Sequence, residues 1–556
     1  MYLVTAQQMK DMDRLTIQSF GIPGIVLMES AGRGTVDALF RHFPDVRHMK
    51  VGIAAGRGNN GGDGFVIARY LASDHIELAV YLLSERQRIR GDAATNLNLL
   101  DQMGVPVHEV PDMAAFEFHQ DRMRQCNLWV DAMLGTGLKS DVRGLFKEII
   151  DFLNALQKPV IAVDIPSGLD SDMGKPRGCC IKATVTVTFG LPKIGHVVLP
   201  ATEFVGTLEV VDIGIPPAVV DKVGPKHHLL TREMIKTCLK SRALQSHKGT
   251  TGHLLVIGGS PGKTGAAVMT SRAAMRVGAG LVTLGLPKSL NMAMESQLTE
   301  VMTVPLPENA NQTLGLSAYE RIMGLLESKK GLAIGPGLGT AKPTQNLVRR
   351  LIQTSPVPVV IDADGLNSLV GGLGCLRDLK VPVVMTPHPG EMARLVGTTP
   401  SQVQQKRIRE ARNFATTHKV YLVLKGARTV VAHPDGTVFV NPTGNPGMAS
   451  GGMGDVLTGM IAGLIVQGLS VGEALNTGVY LHGCAADFLA RSMGPVGFLA
   501  SDVIEILPGQ FKGLEKSPPG RPSYPNAFIR TVTVHPLDYY SEPFENQGTS
   551  PRLHFS

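Results

Sequence analysis

Aromatic residues are scarce in this chain: 5% of 556 positions, with a single tryptophan, Trp129. Lysine and arginine form no cluster interleaved with aromatics, so the basic stripes and stacking platforms that nucleic acids require are missing. Net charge is only +7, from 54 Lys and Arg against 47 Asp and Glu. Spread over this length, that balance demands no acidic partner. Cysteines number six, and only Cys179 and Cys180 are close. Adjacent cysteines rarely pair or share a metal, and no metal-ligand spacing appears. The pattern predicts structural thiols in a reducing compartment, the cytoplasm. No apolar run reaches about 18 residues, so no membrane-spanning helix is expected. Met1 to Asp13 lacks the basic-then-apolar order of a signal peptide.

What is present reads as a folded chain, with 43% hydrophobic and 18% charged residues, a composition that excludes disorder as a whole. The length calls for more than one ordinary domain. Short apolar runs alternate with helical patterns. Val51–Ala55, Leu78–Leu82, Leu128–Ala132 and Val160–Ile165 form one series. Leu254–Ile257, Leu332–Ile334, Val359–Ile361, Val383–Met385 and Tyr421–Leu424 form a second. Continuous apolar runs are what parallel strands covered on both faces require. Most end near Gly, Asp or Pro, where ligand loops sit in open α/β sheets. The expected fold is therefore α/β, two tandem three-layer domains, with the first at 1–226 and the second at 227–513. Residues 514–556 are Pro-rich without helix or strand period. They predict a tail, disordered or draped on a neighbour.

Glycine is in excess, 63 residues, and much of it sits in loops. Gly56-Arg-Gly-Asn-Asn-Gly-Gly-Asp-Gly64 lies between the strand at Val51–Ala55 and a helical pattern at Phe65–Leu71. Such a loop allows close backbone approach and positive φ, and the helix start suits a phosphate. Asn59, Asn60 and Asp63 add amide and carboxylate oxygens for a cation or sugar. Two further strands run into Asp131-Ala-Met-Leu-Gly-Thr-Gly-Leu-Lys-Ser-Asp141 and Asp164-Ile-Pro-Ser-Gly-Leu-Asp170, each placing a carboxylate at a strand end. Residues 1–215 resemble, through these three loops, the epimerase domain of NAD(P)H-hydrate repair enzymes. The resemblance implies a Rossmann-like domain that interconverts R and S hydrates and binds K⁺ through Asn60, Asp131 and Ser167. It also implies a substrate site at Asn59, Asn60, Gly61, Gly62 and Asp63, at Gly135, Thr136, Gly137, Leu138, Lys139, Ser140 and Asp141, and at Asp164. Asp164 is the candidate acid/base for exchanging a hemiaminal hydroxyl.

In the second half, Gly258-Gly-Ser-Pro-Gly-Lys-Thr264 is close to a Walker A loop but one residue short, so a P-loop nucleotidase is not expected. In Asn445-Pro-Gly-Met-Ala-Ser-Gly-Gly-Met-Gly-Asp455, a glycine run opens a helix. Its N–H groups make an anion hole, and Asp455 stands in the first turn to take a proton from an attacking hydroxyl. With Gly335–Gly339, Asp362–Asn367, Thr386–Glu391 and Lys425–Thr429, this segment is similar to the ribokinase-like NAD(P)H-hydrate dehydratases. That resemblance implies an S-specific dehydratase using ADP with Mg²⁺. Lys425, Gly426, Ala427, Arg428, Thr429 and Gly454 would hold the nucleotide. Ala266, Gly337, His388 and Asp455 would contact the hydrate, with Asp455 catalytic. Asp362, Asp364 and Glu391 are candidates to organise Mg²⁺, directly or through water.

The two halves point to one substrate class, hydrated NADH and NADPH, with ADP as co-substrate. No nucleic-acid or membrane partner is expected, and the resemblance suggests a homo-oligomer. Three rivals make different predictions. A ribokinase-like kinase of a vitamin alcohol, with an accessory dinucleotide-binding domain, would yield a stable phosphorylated product. A non-catalytic dinucleotide sensor would not need Asp131 and Asp164. A nicotinamide dehydrogenase would carry the plain glycine fingerprint.

Overall fold

The computed structural model describes residues 1–138, 140–239, 242–515 and 529–532. It contains two sheets. Strands fall where the apolar runs predict them: Val51–Ala55, Leu78–Leu82, Leu128–Ala132, Val359–Ile361, Val383–Met385 and Tyr421–Leu424. Each of these six is buried or nearly so along its length, because helices cover both faces.

The first sheet has eight strands. Val51–Ala55 is its pivot. On one side lie Leu78–Leu82 and Val107–Glu109; on the other lie Leu128–Ala132, Val160–Val163, Val185–Phe189 and Thr207–Val211, all parallel. Strand order thus reverses between Val51–Ala55 and Leu128–Ala132. Ligands bind at such switch points, outside the carboxyl ends of the strands. One face buries Leu27, Leu39, Phe65 and Leu97 from three helices, and the other buries Phe116, Met123, Ile149 and Leu153 from two.

The second sheet has eleven strands and repeats the device. His253–Ile257 pairs in parallel with Leu281–Pro287 on one side and Gly331–Ile334 on the other. Its switch point therefore carries the loops beginning Gly258 and Gly335. Beyond Tyr421–Leu424 the sheet turns antiparallel through Val430–Ala432 and Val438–Val440. Helices Thr264–Arg276 and Met453–Val466 cross one face at close range. A Cβ at Gly459 would lie 2.1 Å from the Thr270 carbonyl oxygen, so glycine sets that distance.

Both chain ends depart from the expected division. Tyr2–Leu3 pairs antiparallel with His227–Leu229 at the edge of the second sheet. Ile529–Val532, four residues of the expected tail, adds antiparallel to Thr207–Val211 at the edge of the first. Short edge strands carry no periodicity of their own, and only the sheet they join defines them. The remaining tail residues, 516–528 and 533–556, lie outside the described residues. Among the described residues, no helix is long and apolar enough to cross a membrane, and all six cysteines are free.

Candidate active sites

The first switch point opens into a cavity of about 1210 Å³. Its wall includes Asn59, Asn60, Asp63, Gly135, Thr136, Gly137, Leu138, Ser140 and Asp164. Gly61, Gly62 and Asp141 are not on that wall, and Lys139 lies outside the described residues. The glycine segment differs from its expected form. The helix starts at Asn59, not Phe65, and none of Gly56, Gly58, Gly61, Gly62 and Gly64 has positive φ. Close approach explains two of them. A Cβ at Gly61 would lie 1.8 Å from the Gly56 carbonyl oxygen, and one at Gly56 would lie 2.0 Å from that of Met133.

Asp164 ends its strand in the left-handed region, φ 65°, which is costly for a non-glycine residue. It is fixed there by donors. Lys193 Nζ lies 2.5 Å from Asp164 Oδ1, and the Thr188 hydroxyl donates to the same oxygen at 3.0 Å. Lys193 is 1% exposed and also donates to Thr188. Against the pull of burial, Lys193 and Thr188 hold the Asp164 carboxyl below its ordinary range. Asp13, on the helix Ala6–Gln18, shares the cavity wall. Burial pushes its carboxyl up to about 6, with Lys193 opposing and Asp164 reinforcing. Asp63 is raised well above the usual range by burial, then by Asp164 and Asp13. One carboxyl held low and two pushed up thus face one cavity. Sequence reasoning missed Asp13 and Lys193, which sit in segments with no motif.

Asp131 lies deeper, fully buried. It accepts from Ser167 N at 2.7 Å, Ser167 Oγ at 2.6 Å and Met133 N at 3.3 Å. Burial pushes it up to about 6, and only hydrogen bonds oppose this. No ion pair reaches it among the described residues. Leu134 N donates to Ser167 Oγ at 2.9 Å, and the buried Nδ2 of Asn60 has no partner. A buried carboxylate without a cationic side chain, beside the Ser167 hydroxyl, is a set of oxygens that fits a hard monovalent cation.

Beyond the second switch point, at the carboxyl ends of Val359–Ile361, Val383–Met385 and Tyr421–Leu424, stand Asp362, Asp364, Glu391 and Lys425, beside Asp455. Asp455 stands in the first turn of Met453–Val466, after Gly452 with φ 91°. Lys425 Nζ donates to Asp362 Oδ1 at 2.6 Å, and a Cβ at Gly454 would lie 3.0 Å from that Nζ. Against burial, Asp362 and Glu391 hold the Lys425 ammonium above its ordinary range. Burial pushes Asp455 up to about 7; Asp362 adds repulsion and Lys425 opposes it. That places a proton acceptor near neutrality beside a fixed ammonium.

Protein donors also reach these carboxylates. The Thr386 and Thr458 hydroxyls donate to the two oxygens of Asp362, each at 2.8 Å. Asp364 Oδ2 accepts from Gly339 N at 2.9 Å and Lys263 Nζ at 3.1 Å. Glu391 Oε2 accepts from His388 N at 2.8 Å. These bonds tie the loops together and fix where each carboxylate stands. His388 caps the helix Pro389–Val396, its Nδ1 accepting from Gly390 N at 3.0 Å. The Arg428 side chain is buried and donates to the Pro442 carbonyl. Ala266 lies in the first turn of Thr264–Arg276, and Gly337 is locked to the Gly258 loop by the Ser260 hydroxyl at 2.7 Å.

Family models match both halves. Residues 24–195 match the YjeF-related protein N-terminus and 254–509 match NAD(P)H-hydrate dehydratase. A bifunctional NAD(P)H-hydrate repair enzyme of Moorella thermoacetica is 44% identical over 517 residues, covering 93% of this chain and 98% of that protein. The chain belongs to this family of bifunctional NAD(P)H-hydrate repair enzymes. The Salinibacter ruber member is 35% identical, covering 91% of this chain and 95% of its own. A solved structure, the ADP/ATP-dependent NAD(P)H-hydrate dehydratase of Bacillus subtilis co-crystallized with ATP/Mg²⁺, is 32% identical, covering 52% of this chain and 98% of that one, with a TM-score of 0.46. In this repair enzyme the two candidate sites lie on separate sheets.

Proposed function

We propose that the first cavity epimerises hydrated NADH and NADPH and that the second site dehydrates the S epimer with ADP, releasing AMP and phosphate. Epimerisation requires an acid and a base at one hemiaminal carbon. A carboxyl of Asp13 or Asp63 protonates the leaving hydroxyl, which departs as water. Water then adds to the other face of the planar cation and gives its proton to Asp164, the ionised member. Environments that push like groups apart assign these roles. Asn60, Asp131 and Ser167 would hold K⁺, which supplies the charge that balances buried Asp131 and fixes the strand-end loops.

In the second site, the hydrate's hydroxyl oxygen attacks the terminal phosphorus of ADP, and the bond to AMP breaks. Asp455 takes the hydroxyl proton. The C–O bond then breaks, phosphate leaves with the bonding pair, and the neighbouring ring carbon loses a proton to restore the double bond. Phosphorylation turns a poor leaving group into a good one. The Gly-rich start of Met453–Val466 and Lys425 stabilise the transferring charge. Lys425–Thr429 and Gly454 would hold the nucleotide, largely through backbone. The Asp455 carboxyl, raised to about 7 beside Lys425, carries this reading. The free thiols suit the cytoplasm, and the family resemblance suggests a homo-oligomer.

The test is product analysis of S hydrate with ADP. AMP, phosphate and NAD(P)H in equal amounts support the mechanism. A stable phosphorylated product from a vitamin alcohol, with the hydrate untouched, would favour the kinase reading.

A further inference from the structure

The first four residues join the first site physically to the second sheet. Leu3 and Val4 are fully buried. The Met1 ammonium donates to the Leu229 carbonyl at 3.1 Å, and Leu229 N returns a bond to Met1 at 2.8 Å. Tyr2 and Leu3 then pair with His228 and His227 of the second sheet. One residue later the chain changes partners. Val4 N donates to the Pro192 carbonyl at 3.0 Å, and Ile194 N donates to the Val4 carbonyl at 3.0 Å. These two bonds flank Lys193, the cation that holds Asp164. Thr5 next caps the helix that carries Asp13. The apolar cluster around Leu3 includes Ile165 and Ile194, sequence neighbours of Asp164 and Lys193, together with Leu229 and Val440 of the second sheet.

We infer that residues 1–4 are a positioning strap: clamped to the edge strand His227–Leu229, they hold Lys193, and through it Asp164, in working geometry. This rests on the epimerase reading above. Epimerisation in this chain then depends on the dehydratase half. The dependence runs one way, because the strap meets the second half at the outer edge of its sheet, through His227–Leu229, Met234 and Val440, several strands from the Gly258 and Gly335 loops. A displacement of a catalytic group by about 1 Å costs about 100-fold in rate.

Two full-chain variants test the strap. One lacks Tyr2 and Leu3; the other is Val4→Pro, which removes the donor to Pro192 and keeps the Tyr2–Leu3 pairing. Epimerase kcat should fall about 10–100-fold with KM little changed, its pH profile should shift, and dehydratase kcat on S hydrate should stay. Hydrogen exchange of the Ile194 amide should quicken in both variants. An unchanged epimerase kcat and pH profile with fast Ile194 exchange would overturn the strap. Equal losses in both activities with a lowered Tm would also overturn it, because that is what a general tie produces. If the unmodified chain fails to interconvert epimers, the epimerase reading falls instead, and Ile194 exchange still separates an anchored strand from an idle one.

Discussion

At the scale of single residues, the two sites solve the same problem differently. The epimerase cavity pairs Asp164 with a buried cation and leaves the Asp13 and Asp63 carboxyls without one of their own, pushed up by burial. Removing the cation exposes the arrangement. Lys193→Met would strand a buried carboxylate, a change that typically costs about 3–5 kcal/mol. We expect a lower Tm, a raised Asp164 pKa, and an epimerase pH profile moved to higher pH, measured by calorimetry and by R-to-S conversion rates. In the dehydratase site the proposed base, Asp455, is raised to about 7 from an ordinary 3.8. A base works when deprotonated, so turnover on S hydrate should rise as pH climbs through about 7. Asp455→Asn should lose about 10²–10⁴-fold and flatten that limb. Sequence alone exposed Asp164 and Asp455, because both end recognisable glycine or strand patterns. Asp13 and Lys193 were illegible: a lone acid on an amphipathic helix and a lone lysine between prolines carry no signal until the fold brings them together. Asp362 was legible as a site residue, but the hydroxyls of Thr386 and Thr458 that fix its carboxylate were not, because they come from segments distant in sequence.

At the scale of elements, glycine sets how close the site helices can come. In the second domain, Thr270 Oγ1 donates to the Asp455 carbonyl at 3.0 Å, so the helix crossing that admits Gly459 also places the base. Gly459→Ala would push a methyl against the Thr270 backbone. We expect overpacking, at about 1–3 kcal/mol, with loss of dehydratase turnover and retention of epimerase activity; one assay of each activity checks this. The strand ends of the first domain make a different prediction. Asp131, raised to about 6 in the fold from an ordinary 3.8, binds its proton more tightly folded than unfolded. Stability therefore falls as pH rises across that window. K⁺ should restore it, so the Tm gain from KCl over a bulky monovalent salt should be clear at pH 8 and small at pH 5. An equal gain at both pH values would argue against the Asn60, Asp131 and Ser167 site. The buried parallel strands were legible because burial on both faces writes a continuous apolar run. Thr207–Val211, which buries Glu209 against His42, and the edge strands at both chain ends were not, because their partners lie far away in sequence.

At the scale of the whole molecule, the chain carries two α/β sheets, and each carries one candidate site at the carboxyl ends of its strands. The termini cross: the first residues complete the second sheet, and residues near the end extend the first. The two activities are therefore covalently and structurally interleaved, as a path from either epimer to restored cofactor would favour. The most direct test is absorbance at 340 nm during incubation of mixed R and S NADH hydrates with ADP, Mg²⁺ and K⁺. Asp455→Ala and Asp164→Ala variants run alongside. The account predicts recovery of both epimers by the unmodified chain and none by Asp455→Ala. With Asp164→Ala it predicts fast recovery of the S half followed by slow conversion of the R half. Absence of recovery by the unmodified chain, or full-speed recovery of both epimers by Asp164→Ala, would contradict it.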